Sequence, residues 1–467
     1  LGRLARIEHA DGSVDIRDHD LAGRIVRREQ TAGEERVVTR FGYEGARLVT
    51  IDHPVQHSFA RHDALGRLVE LVRERDGATY RQAFSYDPLG RLAEQGLPDG
   101  SRLVHGYDAQ GRADAFGLSM AGDAAVRWLA RVVHRDAGAT VIELGNGIRF
   151  EQQADASGRP GSLRWLRGGA DSGAEGPARA PRDWDSLGPF DLPFRRLQWH
   201  PRGLPVAITH ESGEDRYGYD RFGRLIVRER HGGGAAPAHV EYFLYGAVGD
   251  RIAARRRDGT DWREPDTQPD ASGRPTRHRG HALRYGAQRR IVETDGERGA
   301  TRYRYDAFGV RAARSGAAGD RGFVHQAGAL VAETGADGRV LRQYLRWNGR
   351  LVAVLDHEPA PGGGRAGRSS LHWIHADHLG TPIAVTDERG RVAWRGDWDA
   401  FGGLARARGG FAQPLRLDGQ YFDAETGLHD NVLRTYDPDA GRYLEPDPLG
   451  LAAGLDPFAY ADGNPLV

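Results

Sequence analysis

Four closely spaced side chains, His372, His375, Asp377 and His378, are of the types that bind zinc or iron. The spacing of three between the first histidines would place them on one face of a helix. The segment Gly380-Thr381-Pro382 predicts a turn into a strand instead. On a strand, His375 and Asp377 share one face, and the other two histidines share the opposite face. We therefore interpret the four residues as structural, and we predict no metal ion and no cofactor.

Carboxylates near the C-terminus form a second candidate group, made up of Asp437-Pro438, Glu445, Asp447-Pro448 and Asp456-Pro457. In an Asp-Pro bond the Asp carboxyl can attack its own following amide, whose tertiary nitrogen leaves more readily once it is protonated. A second, buried carboxyl with a raised pKa can donate that proton. The group is a candidate for self-cleavage, and the alternative is that each Asp-Pro pair only begins a turn.

Aromatic side chains form a third candidate group, because an indole ring can stack on a sugar. The tryptophans considered for glycan binding are Trp165, Trp184, Trp199, Trp262, Trp347 and Trp373. Such residues more often pack in the core of a β-protein. The chain has no P-loop, GxSxG or HExxH motif, so an enzyme acting on small molecules is not predicted.

The composition limits the class of protein. The 65 basic and 65 acidic residues balance, so no overall field attracts nucleic acid or an anionic membrane. There is no cysteine, which excludes disulfides and thiolate metal sites, and no apolar run approaches the roughly 18 residues of a membrane span. With 65 Gly and 23 Pro in 467 residues, the chain is typical of many short strands joined by tight turns. Because it begins without Met, inside a repeat, we expect it to be part of a longer protein.

A repeat must position these groups. Its unit is an aromatic residue followed by Asp-x-x-Gly-Arg and an apolar residue, with good copies at 86–92, 219–225 and 305–311. Weaker copies begin at His62, Tyr107, Tyr245 and Trp398. The Asp side chain can bond to backbone amides two residues on, and the Gly supplies the positive φ that closes the turn. Each unit therefore predicts a strand, a turn and a returning strand.

An isolated hairpin is not stable in water, so neighbouring units must add strands to a common sheet. In 79–86, for example, Tyr80, Phe84 and Tyr86 fall on one face. We predict an all-β fold in which an array of hairpins forms one long spiralling sheet, with few helices. Stretches of low complexity predict flexible loops near 168–181, 231–238, 258–279, 314–322 and 359–370.

The repeats and the C-terminal motifs together resemble the Rhs-repeat (YD-repeat) core of bacterial polymorphic toxins and of the C-type shell of insecticidal toxin complexes. The stretch His375–Pro382 matches the HxDxxGTP element of that family, and Arg442–Leu451 matches its Arg-(Tyr/Phe)-x-x-x-Asp-Pro-x-Gly-Leu element. The following Gly454, Leu455, Tyr460, Asn464 and Pro465 fit the run GLNxYxYxxNP, with Asp456-Pro457 in place of the usual Asn.

The resemblance implies a sheet that closes into a hollow shell, or cocoon, around a C-terminal toxin domain. Residues 1–371 would be the repeat array, and 372–467 the core-associated region with a plug and half of an autoprotease site. The aspartyl-type autoprotease of the family uses one Asp here and one in a second DPxGL element about twenty residues further on. Carried over, Asp447 is the catalytic candidate and Arg442 a local charge partner. At most, the chain would be a self-cleaving aspartic peptidase.

The resemblance also implies partners and a location. The cargo would be the protein's own toxin domain, and further partners would be components of a secretion apparatus, such as type VI, or of a toxin complex. Nucleic acid is not an expected partner, and the protein would be secreted. The alternative function is an extracellular carbohydrate-binding or adhesion array, as in cell-surface YD-repeat proteins.

Overall fold

Strands make up nearly all of the regular structure of this protein. The computed structural model describes residues 3–136, 138–168, 187–188, 191–232, 238–246, 251–256, 267–270, 272–358 and 367–467. The helices in these ranges are two short 3-10 turns, Gly450–Ala453 and Ala461–Gly463. No described helix has the length and apolar character needed to cross a membrane. The predicted all-β class is confirmed.

The strands form three antiparallel sheets. The first has 21 strands: β1 (Arg6–Glu8), β2 (Val14–His19), β3 (Ile25–Ala32), β4 (Glu35–Glu44), β5 (Arg47–Asp52), β6 (His57–His62), β7 (Leu68–Arg75), β8 (Ala78–Tyr86), β9 (Leu92–Gly96), β10 (Arg102–Tyr107), β11 (Ala113–Ser119), β12 (Arg127–Arg135), β13 (Ala139–Leu144), β14 (Ile148–Ala154), β15 (Pro160–Arg167), β16 (Phe194–Trp199), β17 (Pro205–His210), β18 (Gly213–Tyr219), β19 (Leu225–His231), β20 (His239–Tyr245) and β21 (Arg251–Arg256). The second has 14 strands: β22 (Thr267–Pro269), β23 (Pro275–His278), β24 (His281–Tyr285), β25 (Ile291–Gly296), β26 (Gly299–Tyr305), β27 (Arg311–Ser315), β28 (Arg321–Gln326), β29 (Ala329–Thr334), β30 (Val340–Trp347), β31 (Arg350–His357), β32 (Ser369–Ala376), β33 (Pro382–Thr386), β34 (Val392–Trp398) and β35 (Leu404–Gly409). The third, called the C-terminal sheet below, has four strands: β36 (Gln420–Asp423), β37 (Leu428–Asn431), β38 (Arg434–Asp437) and β39 (Arg442–Tyr443).

Within each sheet every strand pairs with the strand that follows it in the chain, as expected for an array of hairpins. The sequence predicts one continuing sheet, whereas the described residues form two long ones. Residues 257–266, between β21 and β22, lie outside the described residues. So do 169–186, 233–237 and 359–366, which hold most of three predicted loops, and also Trp184 and Trp262.

The repeat forms the turn that its residues predict. Asp87 Oδ1 accepts hydrogen bonds from the backbone N–H groups of Leu89 and Arg91, each at 2.9 Å, and Arg91 Nε donates to Asp87 Oδ2 at 2.6 Å. Gly90 has φ +81°, a left-handed conformation that side chains disfavour. The ladder shifts by one residue between Ser85 and Tyr86, which is a bulge.

Neighbouring repeats are joined by a contact that the turn motif alone does not predict. The Arg91 guanidinium lies 4.3 Å from the ring centroid of Tyr107 in the next repeat, and the Tyr107 hydroxyl donates to Leu92 O at 2.8 Å. The same arrangement joins Arg67 to Tyr86 and Arg224 to Tyr245. Each Arg therefore caps its own turn and supports the aromatic residue of the following unit.

The main core lies between the two long sheets. Leu97, Leu103, Phe116 and Leu129 from the first sheet pack against residues of β30–β32, including Trp347 and Trp373. Trp373 is fully buried, and its indole N–H donates to Leu129 O at 2.9 Å. The hairpin array thus buries its apolar faces by placing two sheets against each other.

Candidate functional site at the C-terminal sheet

Buried ion pairs attach the C-terminal sheet to the second long sheet. The cations come from the long sheet and its turns, and the carboxylates come from 423–445. Arg311 Nη1 lies 2.6 Å from Asp423 Oδ2, and both side chains are at most 4% exposed. Arg314 reaches Glu425 at 3.1 Å, and Arg290 reaches Asp430 at 3.0 Å. Because removing one partner would leave a buried charge alone, these pairs fix the position of the C-terminal sheet.

Asp437 is one of the four acidic candidates near the C-terminus, and it takes part in these buried ion pairs. Its Oδ2 is 2.6 Å from His278 Nε2, and Arg279 donates to Oδ1. Burial by itself would raise the pKa of Asp437, but the hydrogen bond from His278 and the charge of Arg279 outweigh it and lower the pKa to about 2. Asp437 is therefore charged at neutral pH and is suited to anchoring rather than to donating a proton.

Glu445 is another buried carboxylate of the group, with four hydrogen bonds and 2% exposure. Its Oε1 accepts from Arg290 Nε at 3.3 Å and from Ile291 N–H at 3.1 Å. Thr435 donates its backbone N–H to Oε2 and its hydroxyl to Oε1. Both oxygens are thus occupied by groups that fix the chain before Asp447.

Asp447 lies on the turn that follows Glu445. Its Oδ1 accepts the Leu449 N–H at 2.8 Å, and its carbonyl accepts the Gly450 N–H at 2.9 Å, so it starts a turn much as Asp87 does. Its Oδ2 lies 3.0 Å from Arg434 Nη1. The turn role of Asp447 is observed, and its catalytic role stays a prediction.

The two sequence-predicted site residues do not form an ion pair with each other. Arg442 lies opposite Asp437 in the β38–β39 ladder, and its guanidinium is 5.0 Å from the ring centroid of Phe458. Arg434, which the motif comparison did not single out, takes the place beside Asp447. Arg434 lies in β38, the strand that pairs with β39 at the start of the Arg442–Leu451 element. That position in the sequence was the signal that could have identified Arg434.

A second Asp-Pro turn lies directly beside Asp447. The Asp447 N–H donates to Pro457 O at 2.8 Å, and Asp456 Oδ1 accepts the Phe458 N–H at 2.9 Å. Asp456 Oδ2 is buried and has no hydrogen-bond partner among the described residues. The arrangement brings together two Asp-Pro bonds, one cation and a carboxylate oxygen without a partner.

The histidine cluster is divided between different environments. His375 is fully buried, and its Nε2 lies 2.8 Å from the Thr386 hydroxyl. Burial lowers its pKa to about 3, so it is neutral at physiological pH. Asp377 Oδ1 accepts the N–H groups of Leu379 and Thr381 and so starts a turn, as the sequence predicts. His372 lies near Asp356, and His378 lies near Leu466 O.

Four of the tryptophans considered for glycan stacking lie in the described part of the chain. Trp165, Trp347 and Trp373 are buried, at 5%, 6% and 0% exposure. Trp199 is partly buried and takes the place of the repeat tyrosine, with its indole N–H donating to Pro160 O at 2.7 Å. These rings serve packing, as the core interpretation predicts.

Two family models match parts of this chain. A model described as RHS Repeat matches residues 62–102, which include the Tyr86 repeat, and a model described as RHS protein matches 371–408, which include the HxDxxGTP element. The predicted resemblance to Rhs-repeat proteins is therefore confirmed at these two segments.

Two relatives that are similar over nearly the whole chain carry the names of bacterial toxins. Toxin protein Tse5 of Pseudomonas aeruginosa is 28% identical over 100% of the chain and 34% of its own length. Double-stranded DNA deaminase toxin A of Burkholderia cenocepacia is 32% identical over 98% of the chain and 34% of its own length. The chain thus spans about a third of the length of these curated relatives.

Solved structures with a similar fold include TcdB2-TccC3 and a Tc holotoxin. The structure of TcdB2-TccC3-Cdc42 superimposes on 100% of the chain and 27% of its own length, with a TM-score of 0.80 and 15% identity. The Photorhabdus luminescens Tc holotoxin pore gives a TM-score of 0.78 at 16% identity, over 100% of the chain and 26% of its own length. At this identity the likeness establishes the shared fold. The protein has the architecture of a toxin-complex shell and is related to polymorphic toxins.

Proposed function

We propose that this chain is the wall and the closing segment of a container that holds a toxin domain of the same protein. In this proposal residues 1–371 form the repeat array, and 372–467 form the core-associated region and plug. The observation that carries it is the attachment of the C-terminal sheet to the second long sheet by buried pairs such as Arg311–Asp423. A plug that closes a shell must be fixed to the wall, and burial makes these contacts strong.

The cargo would be a toxin domain, since two relatives similar over nearly the whole chain carry toxin names. The protein would act outside the cell that makes it, delivered by a secretion apparatus such as type VI or as part of a toxin complex. The likeness in fold to solved toxin-complex structures supports the route through a toxin complex.

Self-cleavage at the end of the shell would separate the cargo from the wall. Asp447 would supply one carboxylate of an aspartyl pair, and the second DPxGL element of the family would supply the other. Arg434, at 3.0 Å, would hold the Asp447 carboxylate in one orientation. Such a pair activates water for attack on the peptide carbonyl, and a carboxyl returns a proton to the leaving amine.

The intact mass of the full native gene product tests the cleavage. The wild-type protein is expected to give two masses, and the Asp447→Asn variant one. Asp87→Asn is the matched control, because Asp87 also precedes Pro and also caps a turn; it is expected to give two masses. A single mass from every form would rule out self-cleavage and leave Asp447 as a turn residue.

Containment is tested separately on the uncleaved Asp447→Asn protein. If the shell closes, added protease is expected to leave the toxin domain intact until the shell is unfolded. Rapid digestion of the toxin domain while the repeat array survives would contradict the container, whatever the masses show. Electron microscopy that revealed a solid particle or an open sheet would also contradict it.

A further inference from the structure

A cavity at the junction of the second long sheet and the C-terminal segment has unpaired hydrogen-bond donors in its lining. The cavity lies between residues of β27–β31 and the turn at 415–421. Four of its lining residues have a buried side-chain nitrogen without a partner among the described residues. These atoms are Arg311 Nη2, Arg346 Nε, Arg416 Nε and Gln420 Nε2.

Arg416 is the distinctive member of this group. It is 4% exposed, and its Nη1 donates only to backbone oxygens, Gln413 O at 2.8 Å and Leu415 O at 3.0 Å. Its guanidinium lies 4.2 Å from the ring centroid of Phe422. No carboxylate forms an ion pair with it in the described part of the chain. A buried guanidinium without a counter-charge is unfavourable, because the desolvation of the cation is not offset.

The other cations of the cavity do have partners. Arg311 pairs with Asp423, and Arg346 lies 3.6 Å from Asp418. Asp430, which also lines the cavity, is shared between Arg290 and Arg311. His325 is neutral, since burial lowers its pKa to about 3. The positive charge of Arg416 therefore has no counter-charge among the described residues, and burial lowers the pKa of Arg416 to about 10.

The turn at 416–420 places two of the unpaired donors, those of Arg416 and Gln420, on the same side of the turn. The Arg416 N–H donates to Gln420 O at 3.1 Å, so these residues lie opposite each other across the turn. Gln420 Oε1 bonds to His429 Nδ1 at 2.7 Å, which fixes the amide and leaves its NH2 group without a partner. Arg311 and Arg346 contribute the remaining donors from the long sheet.

We propose that this cavity binds a small oxyanion of the size of phosphate or sulfate. Such a ligand supplies the charge that Arg416 lacks and accepts hydrogen bonds from the four unpaired nitrogens. It would join the wall, through Arg311 and Arg346, to the C-terminal segment, through Arg416 and Gln420. Anion binding would therefore strengthen the attachment of the C-terminal sheet.

Thermal unfolding and calorimetric titration of the full native gene product test the site. Inorganic phosphate is expected to raise the melting temperature saturably, compared with sodium chloride of equal ionic strength, and to titrate with one site per chain. Arg416→Met is expected to weaken phosphate binding by about tenfold or more, as for a lost charge-assisted hydrogen bond. Arg149→Met is the control, because Arg149 pairs with Glu151 at 3.3 Å and lies outside the cavity; it is expected to bind phosphate like the wild type.

A second variant keeps the test decisive if Arg416→Met fails to fold. Gln420→Glu is isosteric and places a carboxylate in the cavity. It is expected to raise the melting temperature in chloride and to abolish the phosphate response. A cavity that holds water only would give no phosphate response beyond that of chloride, and this overturns the proposal. Phosphate binding of wild-type affinity in Arg416→Met, or any phosphate response in Gln420→Glu, overturns it as well.

Discussion

Arg311 Nη1 lies 2.8 Å from Oδ1 and 2.6 Å from Oδ2 of Asp423, and the two side chains are almost completely buried. Arg311 belongs to the second long sheet, and Asp423 ends the first strand of the C-terminal sheet. The pair is 112 residues apart in the sequence. It forms a fixed link between two sheets that no local motif connects.

Breaking this pair should release the C-terminal sheet. Asp423→Asn leaves Arg311 with a weakened set of partners, and we expect the free energy of unfolding to fall by about 3 kcal/mol. Urea unfolding followed by tryptophan fluorescence measures the loss. Asp52→Asn is the control, because Asp52 is 59% exposed and 3.6 Å from Arg40; a surface pair should contribute less than about 1 kcal/mol. Equal effects of the two substitutions would contradict the anchoring role.

The attachment should also weaken in acid. The folded pKa of Asp437 is about 2, below its ordinary value of 3.8, so its charged form stabilises the fold. That stabilisation is complete above the unfolded pKa and is lost as the pH falls from about 4 towards 2. At neutral pH, Asp437→Asn is expected to lower the free energy of unfolding by about 2 kcal/mol. The difference between variant and wild type should shrink in the acidic range, and a difference that does not change with pH would contradict this cause.

The repeat turn depends on glycine for a backbone reason. At Gly90 an added Cβ would meet only Arg67 Nη1, at 3.6 Å, so there is room for it. The φ of +81° is nevertheless unfavourable for other residues, and Gly90→Ala is expected to cost about 1–2 kcal/mol. Hydrogen exchange of the amides of β8 and β9 reports the local loss. Gly410→Ala, where the Cβ meets nothing and φ is not positive, is the control and should not destabilise the protein.

The contact between the two long sheets depends on Trp373. Its indole N–H donates to Leu129 O, and its ring is surrounded by both sheets. Trp373→Phe removes the donor and some volume, so we expect a loss of about 2–3 kcal/mol. Denaturant unfolding measures it, and a substitution without effect would show that the sheets are held together elsewhere.

The sequence by itself determined the unit of this fold. An Asp that caps backbone amides and a Gly with positive φ fix a turn within six residues, because all of the interacting groups are local. The repeated unit then determined the antiparallel pairing of successive strands and the all-β class. It also indicated that Asp377 and Asp447 begin turns, as they do.

The tertiary structure decided which distant groups meet. The sequence named Asp437, Glu445 and Asp447 but assigned none of them the partners His278, Arg290 and Arg434. The charges balance along the whole chain, and nothing local distinguishes a paired Arg from the unpaired Arg416. Only the approach of the C-terminal sheet to β23–β27 removes water from these side chains. Pairing and desolvation are properties of that packing. They determine which charges anchor the sheet, and they leave Arg416 without a counter-charge among the described residues.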